Sequence, residues 1–197
     1  MFTTSLYEVP NFLNDQEVDF VINEVKNNEI FKQHGAIPHD GGVSTHDNNQ
    51  SVKLLDKIPF LKDKVTEKLI ECSVSMGGYN NIRISSSWSN IQKKGSRLKH
   101  HCHPNSILSG VIFLNVDENS SKLYFENPNK FVRIFDYKES NSDNFEYFSF
   151  QPMKGQMLLW PSYLFHGSYD DLNNTEDRMV VSFNSYYKNV EDINANI

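Results

Sequence analysis

Of the 197 residues only two are cysteine, Cys72 and Cys102. That is too few for a disulfide framework, which excludes the stapled secreted scaffolds and predicts a reduced, cytoplasmic protein. No apolar run reaches the length of a signal-peptide core at the N-terminus or of a membrane span, so no membrane partner is expected. Positive charge is scarce: 19 Lys and Arg against 25 Asp and Glu leave a formal charge of −6. A chain so short of cations has little with which to displace counterions from a phosphate backbone, which argues against nucleic acid as a partner. There is no internal repeat, low-complexity tract or second-domain boundary. What the chain does hold is 13% aromatic residues, with 14 Phe and 9 Tyr, a bias that favours strands over a helical bundle. Its length suits one domain over 1–197 that buries a core without a staple.

Two helices are predicted near the start, making a buttress over about 12–75. Asn14 or Asp15 caps the first, whose apolar face is Val18, Val21, Ile22 and Val25. The second runs from about Pro59 to Ser73, with Leu61, Val65, Leu69 and Ile70 at helical spacing and a proline suited to the first turn. A short strand is expected before them, around Tyr7. Residues 33–51, rich in glycine and polar side chains, read as a surface loop over a pocket, with His34, His39 and His46 solvated. From Tyr79 the pattern turns to short strands near 81–91, 97–103, 108–116, 121–126, 145–151, 155–160, 163–168 and 178–187. The stretch 127–144 is too long for a tight hairpin and reads as an excursion at a barrel rim. Eight strands after two helices predict a mainly β fold, a double-stranded β-helix or cupin-like jelly-roll barrel over about 79–187, buttressed on one sheet.

The chemistry is concentrated in His101-Cys102-His103, which precedes the apolar run Ile107-Leu-Ser-Gly-Val-Ile-Phe-Leu114. In an extended segment side chains at i and i+2 share a face, so His101 and His103 converge on one point while His100 and Cys102 face away. A third candidate ligand is His166, in Leu158-Leu-Trp-Pro-Ser-Tyr-Leu-Phe-His166, and Arg178 opens the last strand 12 residues later. Two close ligands, one distant ligand and a downstream cation suggest a non-haem iron site that holds an anionic cosubstrate. Ser182 and Asn184 share strand parity with Arg178 and are expected inside the barrel. Trp88 and Trp160 are expected to pack the interior, and Asn90 to reach a cosubstrate carboxylate from it.

Three blocks carry a resemblance: Gly95-Ser-Arg-Leu-Lys-His-His101-Cys-His103-Pro-Asn-Ser-Ile-Leu-Ser-Gly-Val, Gly155-Gln-Met-Leu-Leu-Trp-Pro-Ser-Tyr-Leu-Phe-His166, and Arg178-Met-Val-Val-Ser-Phe-Asn184. Over roughly 79–187 the chain resembles the 2-oxoglutarate- and Fe(II)-dependent oxygenases related to prolyl hydroxylases, and its opening Pro10-Asn-Phe-Leu-Asn-Asp-Gln-Glu17 is similar to theirs. The resemblance implies Fe(II), 2-oxoglutarate as cosubstrate and O2, with oxidative decarboxylation coupled to hydroxylation of a peptide side chain or a small molecule. Carried onto this chain it makes His101 the first metal ligand, His166 the distal one and Arg178 the partner of the far carboxylate of 2-oxoglutarate, with Ser182, Asn184 and Asn90 nearby.

One position departs from that pattern, because His103 stands where the family carries Asp or Glu. Either three imidazoles bind the metal or a carboxylate comes from elsewhere in the chain. Two other readings follow: a three-histidine cupin-type dioxygenase or isomerase that needs no 2-oxoglutarate, and a degenerate jelly-roll binding module without metal. Arg178 separates the first reading from the cupin-type one, since only 2-oxoglutarate requires a cation deep on the last strand.

Overall fold

The computed structural model describes residues 5–33, 41–46, 53–129, 138–139, 141 and 144–188. In chain order its elements are β1 (Tyr7–Val9), α1 (Asp15–Asn28), β2 (Gly42–Ser44), a 3-10 turn (Leu54–Lys57), α2 (Pro59–Ser75), β3 (Ile82–Gln92), β4 (Leu108–Asn115), β5 (Leu123–Glu126), β6 (Tyr147–Phe150), β7 (Met157–Pro161), β8 (His166–Gly167) and β9 (Arg178–Tyr187). Asn14 starts α1 through a capping box. Its Oδ1 accepts the Glu17 backbone N–H and the Glu17 carboxylate accepts the Asn14 backbone N–H, each at 2.9 Å. Pro59 occupies the first turn of α2, where its missing N–H costs no helical hydrogen bond.

The strands form two antiparallel sheets, of order β1-β7-β4-β9-β3-β2 and β6-β5-β8. One face of the larger sheet carries Ile112, Leu114, Met157, Leu159, Met179, Val181 and Phe183, packed with Val18, Val21 and Val25 of α1 and Leu61, Val65 and Leu69 of α2. Each such apolar side chain taken wholly out of water contributes about 1.5–3 kcal/mol. The opposite face, with Val111, Phe113, Leu158, Trp160 and Val180, packs on Leu123, Phe125 and Phe150 of the smaller sheet. This is a double-stranded β-helix with its helices on the outside of the larger sheet. β9 lies between β4 and β3, so its alternate residues serve two cores: Met179, Val181 and Phe183 look to the helices, Val180 to the interior.

Three sequence expectations are corrected. Within 33–51, expected as loop, Gly42–Ser44 pairs with β3 at Gln92–Asn90, because the unfilled edge of that long strand offers ladder hydrogen bonds to a segment with little apolar signal. The expected strand 97–103 is not a regular strand; it holds an isolated β-bridge between His101 and His166. The expected strand 163–168 shrinks to His166–Gly167, since Leu164 N–H closes a turn onto Pro161 O at 3.0 Å. His34 and His39, and most of the 127–144 excursion, lie outside the described residues. No helix among the described residues is long and apolar enough to cross a membrane.

Candidate metal centre

His101 and His103 sit on an irregular extended segment that hydrogen-bonds along residues 162–168. Ser168 N–H donates to Leu98 O (2.9 Å), His101 and His166 exchange both backbone bonds (2.9 Å each), and His103 N–H donates to Ser162 O (3.0 Å). The period-2 alternation of the side chains survives without a regular strand, because the backbone stays extended. The approach is close at Gly167, where a Cβ would lie 2.8 Å from Leu98 O and 2.9 Å from Lys99 O. Glycine at 167 therefore lets the segment bearing His101 lie against the one bearing His166.

The ligand nitrogens of His101, His103 and His166 all lie within 4.8 Å of one another, and they form the metal-competent cluster among the described residues. Three nitrogens each bound at about 2.1 Å on adjacent positions of one ion stand about 3 Å apart, so the rings must draw together to close on an ion. His101 Nδ1 lies 2.8 Å from Lys99 O and His166 Nδ1 2.9 Å from Leu164 O. A carbonyl only accepts, so both Nδ1 atoms carry the proton and both Nε2 atoms keep a free lone pair. Protonation is disfavoured at all three rings. Burial lowers the His101 pKa, although its bond to Lys99 opposes the shift. Burial, then the neighbouring His101 and His46, push His103 down to about 3. Burial, then His101 and His103, hold His166 well below the usual imidazole range. Three imidazoles held neutral by burial, each with a ring nitrogen within 4.8 Å of the others, form a donor set for a divalent transition metal.

Aromatic rings wall this point. Trp160 lies 4.8 Å and Phe125 5.9 Å from the His166 ring, and Trp88 lies 6.1 Å from His103. His46, expected in solvent, instead packs edge-on against Trp88 at 5.0 Å. Cys102 is outside the cluster and half-buried. His100 is also outside it, with Nε2 3.8 Å from Glu126 Oε2.

Arg178 is 5% exposed and faces the interior, its guanidinium 5.7 Å from the centre of the Phe113 ring. Nη1 donates to the Gln92 side-chain oxygen, while Nε is buried with no hydrogen-bond partner. Among the described residues no carboxylate stands in ion-pair contact with it. Burial lowers its pKa to about 10, with Asp171 opposing the shift, so it stays cationic at neutral pH. Asn90 Oδ1 is likewise buried and unpaired, one ladder step from Gln92, with Asn90 opposite Val180 and Gln92 opposite Arg178. Ser182 lies across from Trp88, and Asn184 Oδ1 accepts the Ser109 hydroxyl at 2.8 Å. The residues expected at the site thus line one interior face, running from Arg178 at one end to the side of the histidines at the other. Sequence reading missed Gln92 and Ser109; the first shares strand parity with Trp88 and Asn90, which is the signal that finds it.

A family model described as "Putative 2OG-Fe(II) oxygenase" matches residues 86–184. No curated protein matches the chain in sequence. Among solved structures the fold is similar to that of HygX from Streptomyces hygroscopicus with nickel, 2-oxoglutarate and hygromycin B bound (TM-score 0.60, 12% identity, 94% of this chain and 84% of that one). It is similar to a Pseudomonas putida prolyl-4-hydroxylase (TM-score 0.58, 13% identity, 95% of each chain). It also resembles a prolyl hydroxylase from Trichoplax adhaerens in complex with a hypoxia inducible factor oxygen degradation domain peptide fragment (TM-score 0.61, 16% identity, 92% of this chain and 84% of that one).

Proposed function

Because the chain belongs to the 2OG-Fe(II) oxygenase family, we propose that His101, His103 and His166 hold Fe(II), that Arg178 holds the far carboxylate of 2-oxoglutarate, and that the product is a hydroxylated peptide side chain or small molecule. The enzyme is a 2-oxoglutarate-dependent oxygenase, with Fe(II), 2-oxoglutarate and O2 as its cofactor and cosubstrates. Bound iron supplies electrons and open coordination positions for coupling 2-oxoglutarate decarboxylation to oxidation of a substrate.

The chain's own residues do the rest. Lys99 O and Leu164 O hold the His101 and His166 rings with Nε2 forward, which fixes ligand direction before any ion arrives. Arg178 orients the cosubstrate by its distal carboxylate, with Asn90 and Ser182 along its path and Asn184 at the histidine end. Trp88, Phe125 and Trp160 exclude water around the reacting point, which strengthens every electrostatic contact there. Three neutral ligands would offset none of the ion's dipositive charge; the near carboxylate of 2-oxoglutarate would offset one unit of it, its far carboxylate being paired with Arg178.

The observation that carries this reading is the buried, carboxylate-free Arg178 on the interior face that leads to three convergent imidazoles. It favours 2-oxoglutarate over the cupin-type alternative, which gives that cation nothing to bind. Both substrate classes stay within the proposal, since similar structures hold a peptide fragment in one case and hygromycin B in another. A cytoplasmic location is part of it, resting on the two free thiols. The test is O2-dependent conversion of 2-oxoglutarate to succinate by the Fe(II)-loaded protein. The expected result is slow uncoupled turnover that His166→Ala abolishes; turnover that survives His166→Ala overturns the reading.

A further inference from the structure

Gln92 lies directly across the β3–β9 ladder from Arg178, and both side chains are almost wholly buried, at 3% and 5% exposure. Arginine can only donate, so the bond from Arg178 Nη1 to Gln92 Oε1 fixes the orientation of the amide. The Gln92 NH2 group is thereby turned away from the guanidinium. Gln92 Nε2 and Arg178 Nε are both buried with no partner. Each residue thus leaves a buried N–H donor unsatisfied, one on a cation and one on the amide beside it, and a carboxylate oxygen is an acceptor that would satisfy such a donor.

We infer that Gln92 is a specificity-determining residue of the cosubstrate site, presenting Arg178 and donating a second hydrogen bond from Nε2 to the distal carboxylate of 2-oxoglutarate. This rests on the proposed function and deepens it. The neutral amide is what keeps the site open. A glutamate at 92 would pair with Arg178 itself, satisfying the guanidinium and removing the net positive charge. An amide in place of the cosubstrate's distal carboxylate would turn an NH2 group toward donors, so the pair selects a carboxylate.

The test uses full-length protein loaded with Fe(II) under anaerobic conditions and titrated with 2-oxoglutarate, together with thermal unfolding of the metal-free protein and iron content. Gln92→Glu is expected to weaken 2-oxoglutarate binding at least 100-fold and to raise the unfolding temperature, with iron content unchanged. Gln92→Met, of similar volume and without polar atoms, is expected to weaken binding about 10-fold. Gln92→Glu reports the charge of Arg178, whereas Gln92→Met leaves that charge in place, so a loss of affinity in Gln92→Met is the signature that a glutamine with no part in the cosubstrate site does not give. Wild-type binding of 2-oxoglutarate with unchanged affinity in Gln92→Met overturns the role of Gln92 and leaves the proposed function standing. Failure of the wild type to bind 2-oxoglutarate overturns both.

Discussion

Replacing Arg178 by alanine tests how the cosubstrate is held. The guanidinium is 5% exposed and has no carboxylate partner among the described residues, so a bound carboxylate is its natural counter-charge. Deleting one side of a buried charge pair costs about 2–5 kcal/mol, which corresponds to about 30- to 5,000-fold in affinity. Gln92 remains as a neutral donor in the variant, which places the expectation in the lower half of that span, at about 100-fold. Iron binding should be untouched, because Arg178 is not among the three clustered ligands. Calorimetric titration of anaerobic Fe(II)-loaded protein with 2-oxoglutarate reads the affinity, and iron content is measured on the same sample. Arg178→Met supplies the control for packing: it keeps a long stem over Phe113 while removing an uncompensated buried cation, and the metal-free protein should be at least as stable as wild type. An unchanged dissociation constant in Arg178→Ala, or undiminished conversion of 2-oxoglutarate to succinate, refutes the assignment.

Gly167→Ala places a Cβ 2.8 Å from Leu98 O, so it should push the 98–103 segment off His166 and lower iron affinity by tenfold or more, read by competition with a chelator. Acidification should destabilise the metal-free protein. The three histidine pKa values are lowered in the folded state, His103 to about 3, so the unfolded chain binds more protons between about pH 3 and the unperturbed value near 6.5. Stability is therefore full above about pH 6.5 and falls as pH drops through that window, and denaturant melts at pH 7 and 5 should show the loss shrinking in His103→Gln. Asn14→Ala removes the acceptor of the α1 capping box and should cost about 0.5–2 kcal/mol in denaturant unfolding.

Much of this architecture was legible because it is written in short-range signals. The capping residue of α1, the first-turn proline of α2 and the alternation of β9 each have a local physical cause, and each element stands where the sequence put it. The strands that were misread are those whose reason is long-range. β2 owes its existence to the open edge of β3, and the bridge at His101 to the close approach at Gly167; neither leaves a periodic trace. The convergence of His101 and His103 was anticipated from strand parity, and parity holds although the segment is not a strand. Gln92 was passed over because a lone glutamine signals nothing until its ladder partner is known to be a buried arginine. His46 was read as solvated from its polar neighbours, whereas pairing of β2 beside Asn90 carries it onto Trp88.

The central claim is that three imidazoles hold Fe(II) in a site that also accepts 2-oxoglutarate as a chelating ligand. The most direct measurement is an anaerobic titration of the Fe(II)-loaded protein with 2-oxoglutarate, followed by visible absorption. The prediction is a saturable charge-transfer band at one equivalent, absent from His166→Ala and requiring higher 2-oxoglutarate in Arg178→Ala. A wild-type protein that retains iron yet develops no such band at saturating 2-oxoglutarate would contradict the account.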